Sequence, residues 1–322
     1  MKKIHFILLI LIGSSFSTFA NPIKTDTLTI ENKHLRVKIS TLGAEIISIY
    51  NKDQHLEHIW KGEKASWNQH APILFPIVGK LKNKQYQLDG KTYKMKNHGF
   101  ASHRKFKLFK KTRNKVTLQL QSDEVSLKIY PYQFVLQATY QLKGTQVCIH
   151  YTVKNTDNKD LFFSIGAHPG FSIPLQANET YNDYYIEFQK KETHISRLPL
   201  TPKGFLSHTQ KTNYTNNSNK IALSHQLFKD RVVILDGITS KWLKIKSDNA
   251  KIALKIGIKN FNFVGLWTSH KKDAPFVCVE PWHGITDYSD TTGNLKVKKG
   301  IQKLKSGKKF DMRYYIKIIK NK

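Results

Sequence analysis

Cysteine is nearly missing from this sequence: Cys148 and Cys278 are the only two among 322 residues. A disulfide-stapled scaffold is thereby excluded. Each cysteine lies inside an apolar strand pattern, so buried thiols are expected, and one disulfide between them stays open. Acidic residues are also scarce. Asp and Glu number 23 against 53 Lys and Arg, a formal charge of +30. That imbalance sets up a long-range positive field attractive to polyanions. The basic residues are spread from end to end, however, with no single stripe interleaved with aromatics. Nucleic acid is therefore not an expected partner, while acidic glycans and lipid headgroups stay open. After the first residues no apolar run is long enough for a stable membrane span. The histidines show no zinc-type spacing with a third ligand. There is no Gly-x-Ser-x-Gly elbow and no phosphate-cradling glycine loop. Neither a metal nor a cofactor is implied.

The N-terminus carries its own pattern. Lys2 and Lys3 precede the apolar run Phe6-Ile7-Leu8-Leu9-Ile10-Leu11-Ile12, and small and polar residues lead to Thr18-Phe19-Ala20. This reads as an export signal over residues 1–20, cut after Ala20, with a periplasmic or secreted product. No composition break divides residues 21–322, which are expected to form a single domain.

No stretch has a long 3.6-residue apolar period with caps. The dominant period is two. Leu35-Arg36-Val37-Lys38-Ile39, Val116-Thr117-Leu118-Gln119-Leu120 and Val147-Cys148-Ile149-His150-Tyr151-Thr152-Val153 alternate apolar and polar residues. Less regular alternation runs through Phe134 to Leu142, Trp242 to Lys246, Ile252 to Ile258 and Met312 to Ile318. Alternation sends apolar side chains to one face of a sheet. Turn residues such as Asp89-Gly90, Lys143-Gly144 and Ser306-Gly307 fall between the runs. Many short strands with short connections predict an all-β protein, a large antiparallel β-sandwich. No fixed repeat supports a propeller.

Three segments depart from alternation. Ala71-Pro72-Ile73-Leu74-Phe75-Pro76-Ile77-Val78-Gly79-Lys80-Leu81 holds two prolines, which cannot donate to a central ladder, so a buried irregular edge is expected. Asn97-His98-Gly99-Phe100-Ala101 follows, with a glycine that permits an unusual backbone beside the histidine. In Phe163-Ser164-Ile165-Gly166-Ala167-His168-Pro169-Gly170-Phe171 an apolar strand stops at a histidine held before proline. Phe276-Val277-Cys278-Val279-Glu280-Pro281-Trp282-His283-Gly284 repeats that grammar with a carboxylate, whose desolvation would raise its pKa towards that of a useful base. Taken singly, His98 reads equally as a turn histidine, His168 as a loop anchor, and Glu280 as the partner of a lysine. Trp267 and Trp282 suit either stacking on a sugar ring or core packing.

At these residues the chain resembles the aldose 1-epimerases, a galactose mutarotase-like family, and within it the LacX-like branch. Trp67 with Ala71 to Gly79 carries the resemblance. So do His98-Gly99-Phe100-Ala101, Ser164-Ile165-Gly166-Ala167-His168-Pro169, Phe263 to Trp267, and Phe276 to Asp287. The blocks occur in family order over roughly residues 25 to 320. The resemblance implies a β-sandwich that interconverts sugar anomers without a cofactor. It implies Glu280 as the general base at the C1 hydroxyl and His168 as the general acid at the ring oxygen. His98 would bind the sugar, with Lys80 and Asp230 as further binding residues. Lys80 stands where the family commonly has Arg, and Ser102 likewise, with Arg104 two residues on. Lysine keeps the charge and loses the planar fork. Two other readings follow from these departures and from the charge: a non-catalytic sugar-binding or sensing protein, and an epimerase for acidic sugars.

Overall fold

Alternation becomes sheet where it is strictest. Phe134–Lys143 and Gln146–Asn155 form an antiparallel hairpin, with Leu136, Ala138, Tyr140 and Leu142 buried on one face and Gln137, Thr139 and Gln141 half-exposed on the other. The computed structural model describes residues 26–193, 195–214, 218–229, 232–269 and 273–321. The expected export signal and its cleavage point lie outside them. Asp89 and Gly90, both at positive φ, close a two-residue turn between Gln85–Leu88 and Lys91–Lys94, the geometry that matches the twist of a hairpin. Among the described residues Glu124–Ile129 is the one α-helix, capped by Asp123, which accepts from the Ser126 backbone.

Two large antiparallel sheets make the sandwich. The nine-stranded sheet has Gln146–Asn155 and Lys309–Lys320 near its middle. The eight-stranded sheet is built around Val233–Asp236, Phe263–Trp267 and Phe276–His283. Leu235, Val264, Leu266, Val277 and Val279 of the second pack in one core with Leu136, Ile149, Leu254 and Ile316 of the first. With period two, the intervening residues of the eight-stranded sheet must face the other way. Ile234 and Trp282 do so, joining Leu74, Val78 and Phe263 in a second apolar cluster. Glu280 shares that outward face, and the site is built there.

The proline-rich segment ends this sheet, as its missing donors require: Ile73–Leu74 is the terminal strand and pairs with Ile165–Ala167. Cys148 and Cys278 are free thiols in different sheets, which closes the disulfide alternative. Among the described residues no helix is long and apolar enough to cross a membrane.

Candidate functional site

The two strands with matching grammar are neighbours. Gly166 pairs with Trp282 and Gly170 with Cys278, so the same register sets His168 against Glu280. Each is followed by a proline, which removes a ladder donor where the two side chains meet. The His168 N–H turns away to the carbonyl of Pro72, and the Val279 N–H reaches the Pro169 carbonyl. The result is a rigid gap in the sheet, with Nε2 of His168 3.1 Å from Oε2 of Glu280.

Both side chains are almost sealed from solvent, at 11% and 1% exposure. The imidazole lies between Trp67 and Trp267, with ring centroids 4.9 and 5.5 Å away. Burial pushes the Glu280 carboxyl well above the ordinary carboxylate range. Burial, and then the neighbouring His98, push His168 well below the ordinary histidine range. The 3.1 Å approach is an ion-pair contact without hydrogen-bond alignment, and Oε2 of Glu280 and Nδ1 of His168 are left without a hydrogen-bond partner among the described residues. Unpaired buried polar atoms are costly, and a ligand's hydroxyls would satisfy them.

His98 reaches the same place from a strained turn. Its φ is 64°, and a methyl group on Gly99 would lie 2.3 Å from the Phe75 carbonyl oxygen. Only glycine fits there. The His98 N–H donates to the Gly79 carbonyl, while the Gly79 N–H donates to Nδ1 of the His98 ring. Burial, and then the charge of Lys80, lower its pKa to about 4. The ring is therefore neutral at pH 7, and with Nδ1 accepting, Nε2 carries the proton. Its ring centroid is 5.7 Å from that of His168.

A cavity of about 640 Å³ opens over these residues. Its lining brings together His98, His168, Glu280 and Lys80, with Trp67, Trp267 and Trp282 as aromatic walls. Trp282 lies across the sheet because its flanking positions are glycines. A methyl group at Gly166 or Gly265 would stand 2.6 Å from its ring. Lys80 is held by its backbone: its N–H donates to Thr286 Oγ1, its carbonyl accepts from the Asp287 N–H, and its Nζ donates to the Lys203 carbonyl. Asp287 in turn forms a 2.7 Å ion pair with Lys298, both side chains 4% exposed. Ser102 lines the cavity. Arg104 does not substitute for an arginine there, because it is turned to an ion pair with Asp123. Asp230 lies outside the described residues; Phe228, Lys229 and Val232, near it in sequence, line the cavity. Gln69, Asn97, His103 and Thr286 also line it. Among these, only Asn97 and Thr286 sit in segments that the sequence singles out.

His168, Cys278 and Glu280 place potential ligand atoms all within 4.8 Å of one another, a cluster that sequence spacing does not reveal. Burial pushes the Cys278 thiol up as well. A cation bound there would have to displace protons that burial makes harder to remove from the thiol and the carboxyl. The arrangement suits proton transfer instead: a carboxyl and an imidazole in contact, with aromatic walls excluding water.

Comparison with known proteins agrees with this geometry. The family model for aldose 1-epimerase matches residues 26–315. Protein LacX of Lactococcus lactis subsp. lactis, in both plasmid and chromosomal forms, is 31% identical over 284 residues, covering 86% of this chain and 94% of the relative. Among solved structures, a galactose mutarotase related enzyme from Lactobacillus acidophilus is 34% identical with a TM-score of 0.88, over 91% of this chain and 97% of its own. A galactose mutarotase-like protein from Lactobacillus casei ATCC 334 is 31% identical with a TM-score of 0.86, over 91% and 100% of the two chains.

Proposed function

The chain belongs to the aldose 1-epimerase family, and from that premise we propose that it is a mutarotase, interconverting the α and β anomers of a free aldohexose. One observation carries the reading: a buried carboxyl and imidazole 3.1 Å apart in a sugar-sized cavity. The two oxygens that exchange protons in mutarotation sit on one carbon, C1, so their acid and base must be neighbours.

In this reading Glu280 takes the proton from the C1 hydroxyl. The C1–O1 bond becomes a carbonyl, the bond from C1 to the ring oxygen breaks, and that oxygen takes a proton from the His168 imidazolium. Opening turns a carboxylate and an imidazolium into a carboxylic acid and a neutral imidazole. Burial raises the proton affinity of the carboxyl and lowers that of the imidazole, which moves the two towards each other and lets the proton exchange run in either direction. Rotation about C1–C2 exposes the other face of the aldehyde, and reclosure runs the transfers in reverse. Electrons are only redistributed between bonds, so the scheme calls on no cofactor. His98 donates from Nε2 to a sugar oxygen, Trp282 supplies a flat apolar floor, and Lys80 and Asp230 contact peripheral hydroxyls.

The test is the optical rotation of freshly dissolved α-aldohexoses with and without protein. Acceleration is expected, and its absence across a sugar panel would refute the reading. Lys80 and Lys229 both line the cavity, which favours a second reading of the substrate, an aldose bearing an acidic group. Including uronic acids in the panel decides between them. Saturable binding measured by calorimetry without mutarotation would instead indicate a sugar sensor. We further propose export of the chain directed by residues 1–20, which N-terminal sequencing of the mature protein checks.

A further inference from the structure

The lysines that look scattered along the chain are partly gathered by the fold. Across the nine-stranded sheet the register runs Lys220–Glu187–Lys244–Lys255–Lys317–Gln146–Lys143, each residue paired with the next. These positions alternate with core residues such as Leu254, Ile256 and Ile316. The row therefore lies on the solvent face, on the opposite side of the sandwich from the sugar cavity. Five of its seven members are lysines, and adjacent strands are about 4.8 Å apart.

Lys244, Lys255 and Lys317 are three successive cross-strand neighbours of like charge, an arrangement that destabilises a sheet. Glu187 neutralises one end through a 2.9 Å ion pair with Lys244. Among the described residues Lys255 and Lys317 have no carboxylate partner. Asp248, which accepts from the Tyr185 hydroxyl, offsets charge only at the Lys220 and Lys246 side of the row, and Asp311, further along the strand of Lys317, is engaged by His150 and Arg313. Beside the row lies Trp242, whose ring is covered by Lys255 Nζ at 4.0 Å and Lys244 Nζ at 5.1 Å. The Tyr185 ring is covered in the same way by Lys220 Nζ at 4.3 Å. Burial, and then the charges of Lys244 and Lys317, hold the Lys255 ammonium below its ordinary pKa.

We propose that this row is a binding site for a linear polyuronate, an acidic polysaccharide with one carboxylate on each sugar. Three successive lysines, Lys244, Lys255 and Lys317, flanked at intervals by Lys220 and Lys143, complement a chain whose charges recur on the length scale of the strand spacing. The aromatic faces beside it are occupied by ammonium groups. That disfavours a single-stranded nucleic acid, which needs free rings for base stacking. The site is independent of the mutarotase reading, and the two assays are read separately.

The experiment measures binding of the full chain to polygalacturonate, with neutral dextran and an oligothymidine DNA as comparisons. Wild-type protein is expected to bind polygalacturonate above dextran, and to release it as salt screens the charges. The triple variant Lys244→Gln, Lys255→Gln, Lys317→Gln is expected to bind about tenfold or more weakly, with mutarotation unchanged. A control with the same loss of charge, Lys107→Gln, Lys110→Gln, Lys111→Gln, on the other edge strand of this sheet, is expected to keep the wild-type affinity. If the first triple variant fails to fold, Lys255→Gln alone decides, with about threefold weakening expected. Equal loss in both triple variants, binding no better than to dextran, or tighter binding of the DNA would each overturn the proposal.

Discussion

Nε2 of His168 and Oε2 of Glu280 stand 3.1 Å apart, on two antiparallel strands whose register sets the residues face to face. The contact is buried, and burial moves the two groups in opposite directions, carboxyl up and imidazole down. The pair therefore titrates as a unit. Loss of its proton falls above the ordinary carboxylate range, and gain of an extra one falls below the ordinary histidine range. The alkaline fall of kcat/KM is therefore predicted to lie above the ordinary carboxylate range, and the acid fall below the ordinary histidine range. An acid limb centred at the ordinary histidine value of 6.5 would mean that a solvated histidine limits the rate.

Stability should show a separate pH dependence. His58 is fully buried, neither ring nitrogen has a partner, and burial lowers its pKa to about 4. The unfolded chain takes up a proton near the ordinary value of 6.5, and the folded chain does not. Stability is therefore lost as pH falls from 6.5 towards 4, by roughly 3 kcal/mol from this residue alone. His58→Leu removes the ring without orphaning a hydrogen-bond partner and should flatten that loss. Denaturant unfolding at several pH values measures it; an unchanged acid slope would exclude His58 as a source.

Gly265 lies under the Trp282 ring, where a methyl group would come within 2.6 Å. Gly265→Ala is predicted to tilt the cavity floor. Overpacking of this kind costs about 1–3 kcal/mol of stability, and KM for the sugar should rise more than kcat falls. Thermal unfolding and steady-state kinetics report the two effects, and wild-type values of both would show that the floor does not matter.

The Asp287–Lys298 ion pair lies behind the backbone of Lys80. Asp287→Asn leaves a buried lysine without its counter-charge. Breaking such a pair costs about 3–5 kcal/mol. Combining Asp287→Asn with Lys298→Met should recover much of the loss, because no lone charge remains. Failure of the double variant to recover would place the effect in the Lys82 N–H bond to Asp287 instead.

The sandwich was legible because alternation is a local signal: Trp242 to Lys246 and Phe134 to Leu142 read as strands and form strands. His168 and Glu280 could be singled out because each ends an apolar strand before a proline. Their register could not, since pairing across strands is set by the whole sheet. Cys278 beside them was legible only as a core thiol. The line from Lys220 to Lys143 was invisible for the same reason, its members coming from seven different strands. Gln69 and His103 carry no local pattern, and only the folded chain brings them to the cavity.

The central claim is that Glu280 moves the C1 proton of a bound aldose, and polarimetry of fresh α-galactose and α-glucose with wild-type and Glu280→Gln protein tests it most directly. The wild type is predicted to speed the approach to equilibrium rotation in proportion to its concentration. The variant is predicted to be slower by about 10²–10⁴-fold, with its thermal unfolding unchanged or raised, since an amide tolerates that burial at least as well as a carboxyl does. A Glu280→Gln protein as fast as wild type would contradict the assignment of the base, and a wild type no faster than buffer would contradict the mutarotase reading itself.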